Sequence, residues 1–207
     1  MSTRAYALAA DINGRFQQAA AAYEAALYSD PDDVESAVNL IVLYWQAASG
    51  SSCLPVALSC DFRLHARQRL QKLCTSGANR LAESIQVAFW RSHIAVHGSG
   101  RTQATAVYRR LLRDHPAYLE PAFALFWLTG GKEAEPEAMR LLIACSEQPT
   151  VRNRYVAAVI NSALAKQRCP GAGRRTEQPG QPQPAGGASM RLLLATGLPE
   201  MTGFQPP

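Results

Sequence analysis

The stretch that decides the fold is Thr3–Tyr44, TRAYALAADINGRFQQAAAAYEAALYSDPDDVESAVNLIVLY. Apolar residues recur in it at the three- and four-residue spacing that places side chains on one face of a helix. Asn13-Gly14 interrupts the first run, and glycine tolerates the positive φ angle at which helices often end. The stretch therefore predicts two antiparallel helices, at about residues 3–12 and 15–29, followed by the start of a third.

The first two helices are predicted to meet along a seam of small side chains, with larger ones filling the gaps. The small residues are Ala7, Ala19, Ala22 and Ala26, and the large ones are Tyr6, Phe16, Tyr23 and Leu27. Asp30 is predicted to cap the third helix, with Pro31 in its first turn. This helix runs to about Ala48 and is apolar around most of its circumference. Such a pattern is typical of a helix packed between neighbours.

These residues resemble the tetratricopeptide repeat, a helix–turn–helix unit of about 34 residues with a fixed order of small and large side chains. Ala7 takes the small position of the first helix and Gly14 the turn. The other positions that match are Phe16, Ala19, Tyr23, Ala26, Leu27, Pro31, Leu40 and Tyr44. The sequence departs from the family at Thr3 and Ala37, where the family has tryptophan. The resemblance implies antiparallel helix pairs stacked as a short right-handed solenoid.

Helical periodicity continues well beyond this stretch and predicts a repeat domain over residues 1–166. Ser, Gly and Pro in SGSSCLPVALSC predict an inserted loop at about residues 49–60. The helices expected after the loop cover about residues 61–76, 78–97, 101–116, 118–128, 136–145 and 150–166. Leu64 is predicted to point inward. The repeat pattern returns in the helix predicted over residues 101–116, where the matching positions are Ala104, Tyr108, Leu112 and Pro116.

Composition supports an all-α fold and separates a tail from it. Ala and Leu dominate the apolar residues, which make up 47% of the chain, and both residues favour helix. Residues 167–207 are instead rich in Pro, Gly and Gln, so we expect a disordered tail. No signal peptide or membrane span is predicted, which favours a cytoplasmic location.

No constellation in the sequence points to catalysis, a metal or a cofactor, so the chain is not predicted to be an enzyme. His93 and His97 lie four residues apart on a predicted helix, but no third ligand accompanies them. The net charge of +5 comes mainly from arginine. The basic residues that suggest an exposed stripe are Arg63, Arg67, Arg69, Lys72, Arg109, Arg110 and Arg113. This stripe leaves RNA binding as an alternative function.

The resemblance implies that a peptide binds in the solenoid groove, on the first helix of each pair. The residues predicted to line that groove are Arg4, Leu8, Asn39, Val42, Trp45, Gln46, Phe89 and His93. Leu8 stands where carboxylate-gripping members of the family have asparagine, which favours an apolar or mixed peptide. The predicted function is therefore a non-catalytic adaptor that holds a protein partner. An accessory docking domain of an enzyme complex is a second alternative, and oligomeric state is left open.

Overall fold

The computed structural model describes residues 2–50, 54, 58–75, 80–96 and 101–168. These residues form nine α-helices and a short 3₁₀ turn with no strand among them, which confirms the all-α prediction. The helices are α1 Thr3–Ile12, α2 Phe16–Ser29, α3 Val34–Ser49, α4 Cys60–Thr75, α5 Ile85–Val96, α6 Arg101–Asp114, α7 Glu120–Leu128, α8 Glu135–Glu147 and α9 Val151–Arg168.

The hairpin of α1 and α2 packs along its alanines. Ala7 and Ala19 have no exposed surface, so the two helix backbones come close together, as small residues at a helix contact permit. Gly14 turns the chain with φ +73°, an angle that costs glycine no steric strain. Tyr6, predicted to fill the seam, is instead 40% exposed.

The third helix begins later than the sequence analysis predicts. Asp33, not Asp30, caps α3 and accepts a hydrogen bond from the Ser36 backbone N–H at 3.1 Å. Asp30 instead closes the preceding turn, where its side chain accepts from the Asp32 N–H at 3.1 Å. Two aspartates three residues apart both satisfy the N-cap preference, so composition alone did not separate them.

Helix α3 lies at the centre of the domain. It contacts α2, α4, α5 and α9, and every residue from Ser36 to Ala47 is buried. The prediction of a helix packed between neighbours is therefore confirmed. A helix in this position is apolar around most of its circumference because residues 36–47 do not meet water, and Ser36, Asn39 and Gln46 are its buried polar residues.

The middle of the chain departs from the prediction at two points. Leu64 of α4 is largely exposed, while Ala66 and Leu70 form the buried side of that helix. The single helix predicted over residues 78–97 is divided, because a 3₁₀ turn at Arg80–Glu83 precedes α5. The inserted-loop prediction rests mainly on residues 51–53 and 55–57, which lie outside the described residues.

The remaining repeat-pattern residues divide by their place in the helix pairs. Those on helix faces are buried in the core, namely Phe16, Tyr23, Ala26, Leu40, Tyr44, Ala104 and Tyr108. Leu27 and Leu112 are partly buried and pack against that core. Pro31 and Pro116 are exposed at turns, where their fixed φ angle is accommodated without loss of a helical hydrogen bond.

The last helix folds back over the domain. Helix α9 contacts α7 and α8, its neighbours along the chain, and also contacts α3. It includes Gln167 and Arg168, two residues that the sequence analysis places in the tail. Gln167 donates a hydrogen bond to the Gly131 carbonyl at 2.8 Å. The rest of the predicted tail, residues 169–207, lies outside the described residues.

Candidate partner-binding site

One face of α3 meets α9. Glu35, Asn39, Val42 and Gln46 are spaced four, three and four residues apart, so they share this face. Glu35 forms an ion pair with Arg152 of α9. Trp45, beside the same face, packs edge-on against Tyr155 of α9 with ring centroids 4.8 Å apart.

An aromatic cluster continues this contact toward α5 and α7. The ring of His93 stacks on Phe89 at a centroid distance of 5.7 Å and meets the edge of Phe123 at 5.1 Å. Its Nε2 lies 2.9 Å from the hydroxyl of Tyr155, and its Nδ1 lies 3.4 Å from the hydroxyl of Tyr108. His93 is thus a buried hydrogen-bonding residue of the core that joins α5 to α6 and α9.

The structure places six of the predicted groove residues in the interior: Asn39, Val42, Trp45, Gln46, Phe89 and His93. It brings Trp45, Phe89 and His93 into ring contact. In this conformation the six do not line an open groove, because all of them are buried, and Tyr155 of α9 packs against Trp45 and contacts His93. Their role in partner binding stays a prediction.

The two predicted groove residues on α1 differ from these six. Leu8 is half-buried against the core. Arg4 is exposed, and its guanidinium lies 3.7 Å from the carboxylate of Asp33. Arg4 therefore contacts the N-cap of α3 instead of the aromatic cluster.

One arginine, with a side chain that is 11% exposed, connects three helices at the start of α9. Arg152 is paired with Glu35 of α3, and its Nε lies 3.5 Å from Glu120 Oε1 of α7. Glu120 also accepts hydrogen bonds from Trp90 Nε1 at 2.6 Å and from the Tyr118 hydroxyl at 2.7 Å. Burial alone would lower the pKa of Arg152, but the carboxylates of Glu120 and Glu35 outweigh burial and raise it. The guanidinium therefore stays charged.

The first helix pair holds the same end of α9. Asp11 is fully buried and accepts a hydrogen bond from the Val151 backbone N–H at 2.8 Å. Its second oxygen accepts from the Tyr23 hydroxyl at 3.2 Å. Arg154 donates to the Ile12 carbonyl at 2.6 Å, and its guanidinium carbon lies 6.0 Å from the centroid of the Phe16 ring.

Asp11 should make stability depend on pH. Burial raises the pKa of its carboxyl to about 6, although the bonds from Val151 and Tyr23 oppose this. The pKa of Asp11 is higher in the folded state than in the unfolded state. Protonation of its carboxyl therefore contributes fully to the free energy of unfolding below about pH 4, and this contribution is lost as pH rises through about 6.

We expect Asp11→Asn to remove that pH dependence. The amide oxygen still accepts from Val151, and no buried charge forms at neutral pH, so the variant should be as stable as wild type at pH 7 or up to about 3 kcal/mol more stable. Urea unfolding between pH 4 and 7 measures the difference. Asp11→Ala is the comparison, because it leaves the Val151 N–H and the Tyr23 hydroxyl unpaired. Parallel pH profiles for wild type and Asp11→Asn would contradict the prediction.

Two buried carbonyl oxygens on the α3 face have no hydrogen-bond partner among the described residues. They are Asn39 Oδ1 and Gln46 Oε1, on side chains that are each 1% exposed. The amide nitrogen of Asn39 donates a long bond of 3.4 Å to Glu35. An unpaired buried acceptor costs about 1–3 kcal/mol, so these two amides destabilise α3 where they stand.

The predicted basic stripe is neutralised along much of its length. Arg69 pairs with Glu24, and Arg109 makes two hydrogen bonds to Glu133, at 2.7 and 2.6 Å. Arg110 and Arg113 share Asp114. Arg109 and Arg113 also border an open cleft of about 430 Å³ between α6 and α8. A phosphate bound in this cleft would compete with these carboxylates for the arginines. The pairing therefore favours the interpretation of the stripe as a solvated helix face over its interpretation as an RNA-binding surface.

The described residues contain no group of three or more side chains suited to hold a metal ion. His97, the second member of the predicted histidine pair, lies outside them. No helix in the described part of the chain combines the length and apolar character that a membrane span requires. Comparisons with protein families, with curated proteins and with solved structures found no match to this chain.

Sequence reasoning missed the charged residues that hold α9: Asp11, Glu35, Glu120, Arg152 and Arg154. One signal was present at Asp11, which lies four residues after Ala7 on the inner face of α1. A charge at such a position indicates a buried partner. The partner itself was out of reach, because Val151 lies 140 residues away in sequence.

Proposed function

We propose that this protein is a non-catalytic adaptor built from tetratricopeptide-like helix pairs, and that the α3–α5 face binds a segment of a partner protein. The solenoid arrangement is part of the proposal. It is supported by the alanine seam of α1 and α2, and by the contacts that α3 makes with α2, α4 and α5. In such a stack the first helices of successive pairs lie side by side and present a shared surface.

The observation that carries the proposal is the pair of unbonded carbonyl oxygens at Asn39 and Gln46. Buried amides are almost always hydrogen-bonded on both sides, and a purely structural α3 would be more stable with apolar residues at these positions. Both amides lie on one face, seven residues apart, which is about 10 Å along a helix. A bound segment that offers N–H groups over that distance would satisfy both.

Partner capture should separate this function from a structural role. In the double variant Asn39→Leu/Gln46→Met the side-chain shapes are nearly kept and the unpaired oxygens are removed. We expect the free energy of unfolding to rise, by up to about 1–3 kcal/mol per site. We also expect the variant to retain at least tenfold less of the proteins that wild type captures, because the N–H groups of the partner segment no longer find the two amide oxygens as acceptors. Thermal unfolding and affinity capture with mass spectrometry measure the two effects.

Gln18→Met provides the control, since Gln18 is exposed on α2 and the chemical change is the same. It should leave both capture and stability unchanged. Capture that persists in the double variant while stability rises would refute binding at this face. A double variant that is less stable than wild type would show that the amides serve the fold of this domain.

A further inference from the structure

Arg152 and Tyr155 of α9 lie on the face that the proposed function assigns to a partner. Resting on that function, we infer that residues 151–155 occupy the partner site of their own chain, and that the partner is a basic segment which presents an arginine and an aromatic ring about one helical turn apart and displaces them. The occupant that the structure records thus indicates the chemistry of the ligand.

The charge at the site selects an arginine. Glu35 and Glu120 both face the guanidinium of Arg152, whose side chain is only 11% exposed. Without a cation between them these carboxylates would repel each other, and Glu120, whose side chain is only 12% exposed, would remain poorly solvated. The planar guanidinium suits two carboxylates better than the compact ammonium of lysine. A partner that displaces Arg152 must therefore supply an equivalent group.

The aromatic cluster selects a ring beside that arginine. Tyr155 packs edge-on against Trp45 and Phe123, at centroid distances of 4.8 and 5.9 Å. Its hydroxyl contacts His93 at 2.9 Å. This environment favours a tyrosine, because aromatic side chains surround the ring and an imidazole nitrogen lies within hydrogen-bond distance of the hydroxyl.

The spacing of the two groups is compatible with more than one backbone. Arg152 and Tyr155 are three residues apart on α9, which separates their Cβ atoms by about 5–6 Å. Residues i and i+2 of an extended chain lie on one side at about 6.6 Å. The same site therefore accepts arginine and tyrosine three residues apart in a helix or two apart in an extended segment.

The contacts of residues 151–155 combine polar pairs with buried packing. The polar pairs are the Arg152 ion pairs, the Val151–Asp11 bond and the Arg154–Ile12 bond. The side chains of Val151 and Tyr155 are buried in the core, where the ring of a partner would replace that of Tyr155. Buried ion pairs give little net stability because desolvation offsets the attraction. The far end of α9 is held separately, through Gln167 and Gly131. The first turns can therefore open while the rest of α9 stays in place.

Binding in trans tests the inference with the full chain. The probe is a fluorescent peptide of residues 149–168, PTVRNRYVAAVINSALAKQR. We expect it to bind the Arg152→Ala variant at least tenfold more tightly than wild type, since the variant's own α9 no longer neutralises the two glutamates. The same peptide with alanine in place of both its arginine at 152 and its tyrosine at 155 should lose that binding. Asn161→Ala, at an exposed position of α9, is the control variant and should behave as wild type.

Equal affinity of the peptide for wild type and for a folded Arg152→Ala variant would overturn the inference. That result would leave the adaptor proposal intact, because the Asn39→Leu/Gln46→Met experiment tests it separately. If Arg152→Ala does not fold, hydrogen exchange of wild type decides. We expect the amides of Val151 and Arg154 to exchange at least a hundredfold faster than those at the centre of α3, through local opening. Exchange of both sets at one common rate would refute displacement.

Discussion

Replacement of Trp90 by alanine should lower the free energy of unfolding by about 3–5 kcal/mol, as expected when a large aromatic side chain is removed from a packed core. Trp90 has no exposed surface and packs against Phe89 and Phe123 with ring centroids 5.5 and 5.7 Å away. Its Nε1 also donates to Glu120. The change therefore leaves both a cavity and a carboxylate with one donor fewer. Urea unfolding followed by circular dichroism measures the loss.

Trp90→Phe divides this loss into its two parts. The phenyl ring keeps part of the packing, removes the hydrogen bond to Glu120 and leaves a smaller cavity than alanine, so we expect a smaller cost of about 1–3 kcal/mol. Tyr28→Ala is the control for loss of an aromatic residue at the surface, since Tyr28 is 91% exposed. It should change stability by less than about 0.5 kcal/mol. A Trp90→Ala variant as stable as Tyr28→Ala would show that the cluster is not a packed core.

Replacement of Arg152 by methionine is the second change with a large expected effect. It keeps an unbranched stem and removes the guanidinium and its charge between Glu35 and Glu120, of which Glu120 is 12% exposed at its side chain. Breaking a buried pair from one side costs about 3–5 kcal/mol, because the remaining charge has lost its partner. We expect a loss in this range by urea unfolding at pH 7.

The glutamates provide a matched rescue of that loss. The triple variant Arg152→Met/Glu35→Gln/Glu120→Gln carries no uncompensated charge and should recover most of the lost stability, since a buried ionic group can be replaced by neutral residues at little cost. Arg113→Met, at an exposed arginine, is the control and should have almost no effect. No recovery in the triple variant would indicate that Arg152 stabilises the fold through the packing of its stem alone.

The sequence was most informative where structure is local. The alanine seam and the turn at Gly14 follow from side chains that are close together in sequence, and the apolar pattern of α3 itself predicts its burial. Local rules were also where small errors arose. Asp30 and Asp33 compete as caps of α3. The spacing of the apolar residues in α4 assigns Leu64 to the inner face of that helix, but it lies on the exposed side.

The candidate site was only half predictable. The pattern selected Trp45, Phe89 and His93, which do come together, but it placed them at an open surface. Trp45 and His93 contact Tyr155 of α9 instead. The contacts of α9 with α3 join residues more than 100 positions apart. No periodicity encodes such a distance. The resemblance to a family of open grooves also says nothing about a last helix that contacts the residues predicted to line the groove.

The bond between Asp11 and the Val151 N–H has a consequence for how the protein is made. A linear repeat array can fold from its first unit while the rest is still being synthesised, because each unit contacts only its neighbours. Here the first helix pair is complete 122 residues before Val151 is added. Until then Asp11 has no backbone donor from α9, and its carboxylate must stay hydrated. Contacts over such separations slow folding, so consolidation of the domain should wait for its last helix.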